Sequence, residues 1–245
     1  MRNAVGFLTT LPVRSAGPLT RRSLAAFPLV GLVVGLAWAA AALVGDVLAG
    51  PLVAAAAILA VDLKVTGGFH LDGVADTADG LAVKHRPDRV RQAIKDSRIG
   101  ALGSVTATTT LLARFALLAT VMEFAGAWMA IAVIPVCGRC ASVWMLSRTS
   151  SEHEQSLTHD LHRKARGWPV TFTVAVTMMF LAVALDLTTG QWWWAAAFPL
   201  LIVVTEVVYR SWERYLSSNG DLLGAAAVTL EILVMLGLVA AMRFT

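Results

Sequence analysis

Long apolar runs, spaced along the whole chain, limit what it can fold into. Six of them, 24–44, 101–121, 128–146, 170–185, 192–208 and 222–242, approach or reach the ~20 residues a helix needs to cross a hydrocarbon core. A seventh, 51–65, is weaker because it carries Asp62 and Lys64, and it leads straight into an acidic segment. Only 15% of the 245 residues are charged, where a soluble domain carries roughly 25%, and the mean hydropathy is +0.70. The apolar residues come in unbroken runs rather than in the alternation of a half-buried strand. The expectation is an all-α, polytopic integral membrane bundle of about seven transmembrane segments, with residues 1–245 forming one catalytic domain. No repeat, low-complexity tract or soluble domain interrupts it.

Basic residues set the expected orientation. Arg2, Arg14, Arg21 and Arg22 precede the first run, and Lys84, Arg86, Arg89, Arg91, Lys95 and Arg98 follow the acidic segment. Arg148, Arg163, Lys164 and Arg166 follow the run 128–146, and Arg210 and Arg214 lie in the next polar loop, after the run 192–208. The intervening loops 45–50, 122–127 and 186–191 contain no Lys or Arg. This alternation is the positive-inside pattern, and it predicts a cytoplasmic N-terminus and an external C-terminus. Arg21-Arg22 ahead of an apolar run has a twin-arginine look, but that run exceeds the short core of a cleavable signal and reads as a first transmembrane helix. Cys137 and Cys140 form a C-x-x-C inside an apolar run, with no second pair to complete a metal site, and read as small buried residues.

Residues 70–80 read His-Leu-Asp-Gly-Val-Ala-Asp-Thr-Ala-Asp-Gly. On a helix, Asp72, Asp76 and Asp79 share one face. No cation lies within the run, and at about 6 Å and an effective dielectric near 20 each like-charge pair costs on the order of 3 kcal/mol. A solvated acidic face is one reading. The other is a site for a hard divalent ion such as Mg²⁺, since every candidate ligand is oxygen. Gly67, Gly68, Gly73 and Gly80 favour the second, because a plain surface helix has no use for residues that weaken it, whereas glycine lets a ligand or another backbone come close.

Lys95-Asp96-Ser97-Arg98-Ile99-Gly100 precedes the next apolar run. It reads either as an interfacial anchor or as a phosphate-handling element, given the fit of arginine to phosphate oxygens. Arg114, Arg139, Glu206 and Glu231 lie within apolar runs, and charges there face a bundle interior and pair. Pairing of Arg114 with Glu231 accounts for two of them. Arg139 and Asp221, nearer the cytoplasmic edge, are candidate substrate contacts, and Asn219-Gly220-Asp221 reads equally as a helix cap. His70 is placed to orient a carboxylate or touch phosphate, while His153, His159 and His162 fall in a polar loop where solvation is the default. No zinc-ligand pattern, Gly-x-Ser-x-Gly elbow or P-loop is present.

Residues 67–80, Gly-Gly-Phe-His-Leu-Asp-Gly-Val-Ala-Asp-Thr-Ala-Asp-Gly, resemble the signature of the cobalamin synthase family, the adenosylcobinamide-GDP ribazoletransferases. The resemblance extends to Lys95–Gly100, to Leu11-Pro12, to Phe27-Pro28-Leu29-Val30-Gly31 and to Gly220-Asp221-Leu222-Leu223-Gly224-Ala225, and so covers essentially the whole chain. Around Ala227 and Val228, where the family often carries polar or acidic residues, this chain is apolar. The resemblance implies an enzyme of the bacterial cytoplasmic membrane with its site facing the cytoplasm. Its reaction would join adenosylcobinamide-GDP to α-ribazole, or to α-ribazole 5′-phosphate, with release of GMP. Asp72, Asp76, Asp79, Asp96 and Arg98 would be catalytic, with the first three holding Mg²⁺. His70, Lys95, Arg139 and Asp221 would bind substrate. The implied partners are these small molecules and the lipid bilayer, with no nucleic acid and with room for a homo-oligomer. Two alternatives share the acids: a CDP-alcohol phosphotransferase, whose pattern has Ala-Arg after the first Asp-Gly, and a cation-coupled transporter.

Overall fold

In the computed structural model of the chain, residues 1–13, 17–86, 89–90, 98–124, 127–150, 157–190 and 193–243 are described. All regular structure among them is helical. Two short helices, α1 (Arg2–Leu8) and α2 (Arg21–Ala25), lead into α3 (Phe27–Ala49) and α4 (Pro51–Thr66). Next come α5 (Phe69–Ala82), α6 (Ala101–Met122) and α7 (Ala127–Arg148). The chain then forms α8 (Leu157–Ala165), α9 (Trp168–Thr189), α10 (Trp194–Leu216) and α11 (Gly220–Arg243).

Helix boundaries follow from local chemistry. Gly50, at φ +82°, ends α3, and Pro51 opens α4 where its missing N–H is no loss. Gly190, at φ +69°, ends α9 in the same way. By length and composition, four described segments suffice to cross a membrane: Arg21–Ala49, Ala101–Met122, Ala127–Arg148 and Gly220–Ala241. Two bent pairs, α4 with α5 and α8 with α9, bring the number to six if each pair is one span. The other expected segment, α10, has the length at 23 residues but gathers Glu206, Arg210, Glu213 and Arg214 in its second half.

The helix α7 is the central one. Its apolar stretch is 78% buried, against 28% for α6, and it packs on α3, α9 and α11. Apolar burial drives little association in lipid, so the close α3–α7 approach rests on small residues. A Cβ at Gly31 would fall 2.7 Å from the Pro135 carbonyl oxygen, and one at Gly35 would overlap the Ala132 carbonyl. Farther along, a Cβ at Gly45 would come within 2.6 Å of Ala54 Cα on α4.

Polar contacts stitch one end of the bundle together. Thr10 N–H donates to the Val65 carbonyl at 2.8 Å, Arg21 reaches the Lys164 and Arg166 carbonyls at 3.1 Å, and Arg210 reaches the Arg148 carbonyl at 2.8 Å. These bonds join the α1–α2 connection and the start of α2 to the end of α4 and to α8, and the end of α7 to α10. It is the end at which the basic residues lie.

The glycine contacts give a test. Gly35→Ala should lower the thermal unfolding midpoint in detergent, with a stability loss of about 1–3 kcal/mol from overpacking. Gly220→Ala, where an added methyl meets no atom within 4 Å, should leave the midpoint unchanged.

Candidate functional site

Two successive left-handed glycines place the acidic segment. Gly67 at φ +66° and Gly68 at φ +73° turn the chain through 87° between α4 and α5. A residue with a Cβ is strained in this region, which is why the pair is glycine. As a result α5 does not continue α4 across the bundle but runs along its basic end, packed on α6 and α11.

Glycine again sets the α5–α11 distance. A Cβ at Gly73 would stand 2.5 Å from the Asp221 carbonyl oxygen, and one at Gly224 would stand 3.3 Å from His70 Cα. This contact carries Asp221 to the acidic face of α5. The Asp76 carboxyl is pushed up to about 6, first by burial and then by the charges of Asp221, Asp72 and Asp79. Asp221 thus belongs with the carboxylates of the motif. The capping role in its own turn is taken by Asn219, whose Oδ1 accepts Leu222 N–H at 2.8 Å.

Asp79 has a different environment. Its carboxylate accepts N–H bonds from Gly100 and Gly103, each at 2.7 Å. These are two of the unsatisfied donors in the first turn of α6. The carboxylate lies so close that a Cβ at Gly100 or Gly103 would overlap it. Asp79 is therefore an N-cap for α6 supplied from another helix.

A cavity of about 620 Å³ opens beside the motif, lined by Asp72, the Gly67–Gly68 turn, Thr9, Thr10 and Thr66, with Phe7 and Phe69 as an aromatic wall. The two phenyl rings meet edge to face at 5.8 Å. Among the described residues, Asp72, Asp76 and Asp221 form no ion pair. Among those residues, too, no three His, Cys, Asp or Glu side chains stand close enough to hold a metal. The donor set still suits Mg²⁺, which takes one or two carboxylates and fills its other positions with water and phosphate oxygens.

The remaining sequence candidates are distributed as follows. His70 is buried on α5 with its ring 5.5 Å from that of Phe69. Arg98 is exposed, two residues ahead of Gly100. Lys95 and Asp96 lie outside the described residues. Arg139 is 1% exposed and donates to Glu231 Oε1 at 2.8 Å and to the Pro135 carbonyl at 3.3 Å, so it is held inside the bundle rather than at the cavity. Glu231 also pairs with Arg114 at 3.3 Å, as its placement in an apolar run predicted, and Arg114 reaches Asp62 at 3.1 Å.

One polar cluster departs from the sequence expectation. His162, assigned by default to solvent, is 2% exposed. Its Nδ1 donates to the Leu146 carbonyl at 2.9 Å, and its Nε2 accepts from Ser218 Oγ at 2.8 Å. Ser218 is bonded in turn to Tyr209 Oη. Burial holds the imidazole below its ordinary value, in keeping with this bonding. The amphipathic α8 turns one face inward, a signal carried by Leu161, His162 and Ala165 at helical spacing.

Comparison with known proteins shows the family. A family model described as cobalamin-5-phosphate synthase matches residues 1–239. An adenosylcobinamide-GDP ribazoletransferase of Desulfitobacterium hafniense (strain Y51) is 31% identical over 242 residues, spanning 96% of this chain and 94% of that protein. The protein of the same description from Pseudomonas fluorescens (strain Pf0-1) is 34% identical over 252 residues, 96% of each chain. No solved structure matches.

The cap on α6 predicts a local effect. Asp79→Ala should weaken stability by about 0.5–2 kcal/mol, the usual loss of an N-cap side chain. Amide hydrogen exchange should speed up in the first turn of α6 and not in α7. Unchanged exchange at Gly100 and Gly103 would return Asp79 to the metal-ligand set.

Proposed function

Because this chain belongs to the cobalamin-5-phosphate synthase family, we propose that it completes the nucleotide loop of cobalamin on the acidic face of α5. It does so by transferring the cobinamide phosphate of adenosylcobinamide-GDP to the 3′-hydroxyl of α-ribazole or of its 5′-phosphate. The hydroxyl oxygen bonds to the cobinamide-linked phosphorus, the bond to the GMP oxygen breaks, and the hydroxyl proton is lost. The carrying observation is the cavity in which Asp72 meets the Gly67–Gly68 turn, with Asp76 and Asp221 behind it. The whole-chain family match leaves no support for a CDP-alcohol phosphotransferase or a transporter.

The residues divide the work. Asp72 and Asp76, with Asp221 beside them, would hold Mg²⁺, which supplies charge neutralisation at the diphosphate and at the departing GMP. Asp79 fixes the start of α6 and so sets where Arg98 stands, two residues earlier. Arg98 is placed to take phosphate oxygens with its planar fork. Phe7 and Phe69 offer an apolar wall for the flat base of the acceptor.

The positive-inside pattern supports a site on the cytoplasmic side, where GTP-derived substrates are found. With Cys137 and Cys140 replaced, a cysteine at Arg166 should be protected from an impermeant thiol reagent in intact cells, and a cysteine at Gly190 should label. Labelling of both from outside would defeat the orientation.

Purified protein given adenosylcobinamide-GDP, α-ribazole and Mg²⁺ should release GMP, and omission of any one should stop it. Asp72→Asn and Asp76→Asn should each lower turnover at least a hundredfold while membrane insertion is kept. Arg98→Lys should reduce kcat/KM by a factor matching one or two lost charge-assisted hydrogen bonds, roughly 1.5–3 kcal/mol each. Full turnover in both Asp variants would remove α5 from the chemistry.

A further inference from the structure

A trench runs down one flank of the bundle, apart from the acidic site. Its apolar part is a cavity of about 490 Å³ between α9 and α10, walled by Val174, Met178, Ala182, Phe198 and Val203. Its polar part is a cavity of about 360 Å³ at the basic end, where Arg148, Arg166, Arg210 and Arg214 converge. A hollow of about 260 Å³ joins them, sharing Val203 with the apolar part and Arg210 and Arg214 with the basic part.

One face of α10 makes this continuity. Pro199, Val203, Val207, Arg210 and Arg214 follow at helical spacing and change from apolar to cationic along the axis. The rise from Pro199 to Arg214 is about 22 Å, more than the roughly 15 Å of hydrocarbon in one leaflet. A trench of that length starts among acyl chains and ends at headgroup level.

Charge selects the occupant. Four guanidiniums and a single carboxylate, Glu213, line the basic part. Arg210 is engaged by Glu213 at 3.1 Å and by Glu206, which lines the joining hollow, at 3.4 Å, and Arg148 reaches the same Glu206 at 3.8 Å and lies over the Trp144 ring at 5.7 Å. Arg166 and Arg214 form no ion pair among the described residues. A soluble phosphate would fill only the basic cavity and leave its apolar continuation without purpose.

We infer that the trench binds one anionic phospholipid, with its phosphate among Arg148, Arg210 and Arg214 and an acyl chain in the α9–α10 groove. The basic end faces the leaflet that carries anionic lipid under the positive-inside orientation. Ser217 and Ser218 line the same cavity and lead through Asn219 into α11. The bound lipid would therefore steady the turn that presents Asp221.

Native mass spectrometry of the full-length protein, released from detergent with equal amounts of phosphatidylglycerol and phosphatidylcholine, tests this. One phosphatidylglycerol per chain should be retained, at least tenfold over phosphatidylcholine. Arg148→Gln with Arg214→Gln, both exposed positions, should cut that retention at least tenfold without moving the unfolding midpoint. Val203→Trp, an exposed residue that would fill the groove, should also cut it, and it decides the matter if the arginine variant fails to fold. Equal retention of the two lipids, or retention unaffected by Val203→Trp, would overturn the proposal. Displacement of the lipid by equimolar inorganic phosphate or GMP would overturn it too, by assigning the pocket to a soluble anion.

Discussion

The bundle is organised around one buried cation. Arg114 of α6 is 2% exposed, and its guanidinium pairs with Asp62 of α4 and Glu231 of α11 while lying 5.2 Å from the Trp38 ring of α3. Glu231 extends the contact to Arg139 of α7. Five helices thus meet at a chain of four alternating charges. A charge left alone at this depth is expensive in a bilayer, and removing one member of a buried pair strands its partner. The helices are held in one register by the need to keep all four together. Arg139 Nε and Nη2 have no hydrogen-bond partner among the described residues, so the pairing with Glu231 is what offsets their desolvation.

That register positions the chemistry without sharing residues with it. The charge chain fixes α4, which leads into α5, and α6 and α11, on which α5 packs. The Gly67–Gly68 turn then lays α5 across their ends, and Gly73 and Gly224 bring α11 near enough for Asp221 to join the acids. The carboxylates stand at the edge of the apolar region instead of inside it, where the proposed substrates, which carry several charges, would reach them from water. His162, Ser218 and Tyr209 tie α8, α10 and the turn before α11 into the same platform.

Much of this was legible in the sequence, and the failures have a pattern. Apolar runs gave the helices, because a bilayer leaves the backbone few alternatives. Arg114 and Glu231 could be paired without coordinates, because intramembrane charges must find partners. Asp62 was missed as the third member, since it sits in the weakest run and looked like a blemish in it. The motif's glycines were recognised as marks of close approach, but which backbone approached was a tertiary fact. Asp79 and Asp72 have the same residue type, spacing and face, and only the position of α6 separates a cap from a cavity-lining acid. His162 was misjudged because a nine-residue amphipathic helix between polar stretches is hard to tell from a solvated loop.

The capping of α6 by Asp79 also bears on where attraction for phosphate would come from. A helix that begins Gly-x-x-Gly beside a nucleotide site looks like a ready anion cradle, its free N–H groups and positive pole open to the ligand. Here two of those N–H groups, of Gly100 and Gly103, are already committed to a carboxylate of the protein itself. The pole is neutralised from within, and a diphosphate bound at the proposed site would find acids and a spent dipole. At the proposed site its charge would be met by mobile ions and by side chains such as Arg98, which would make binding responsive to the cation supply in a way that a backbone cradle is not.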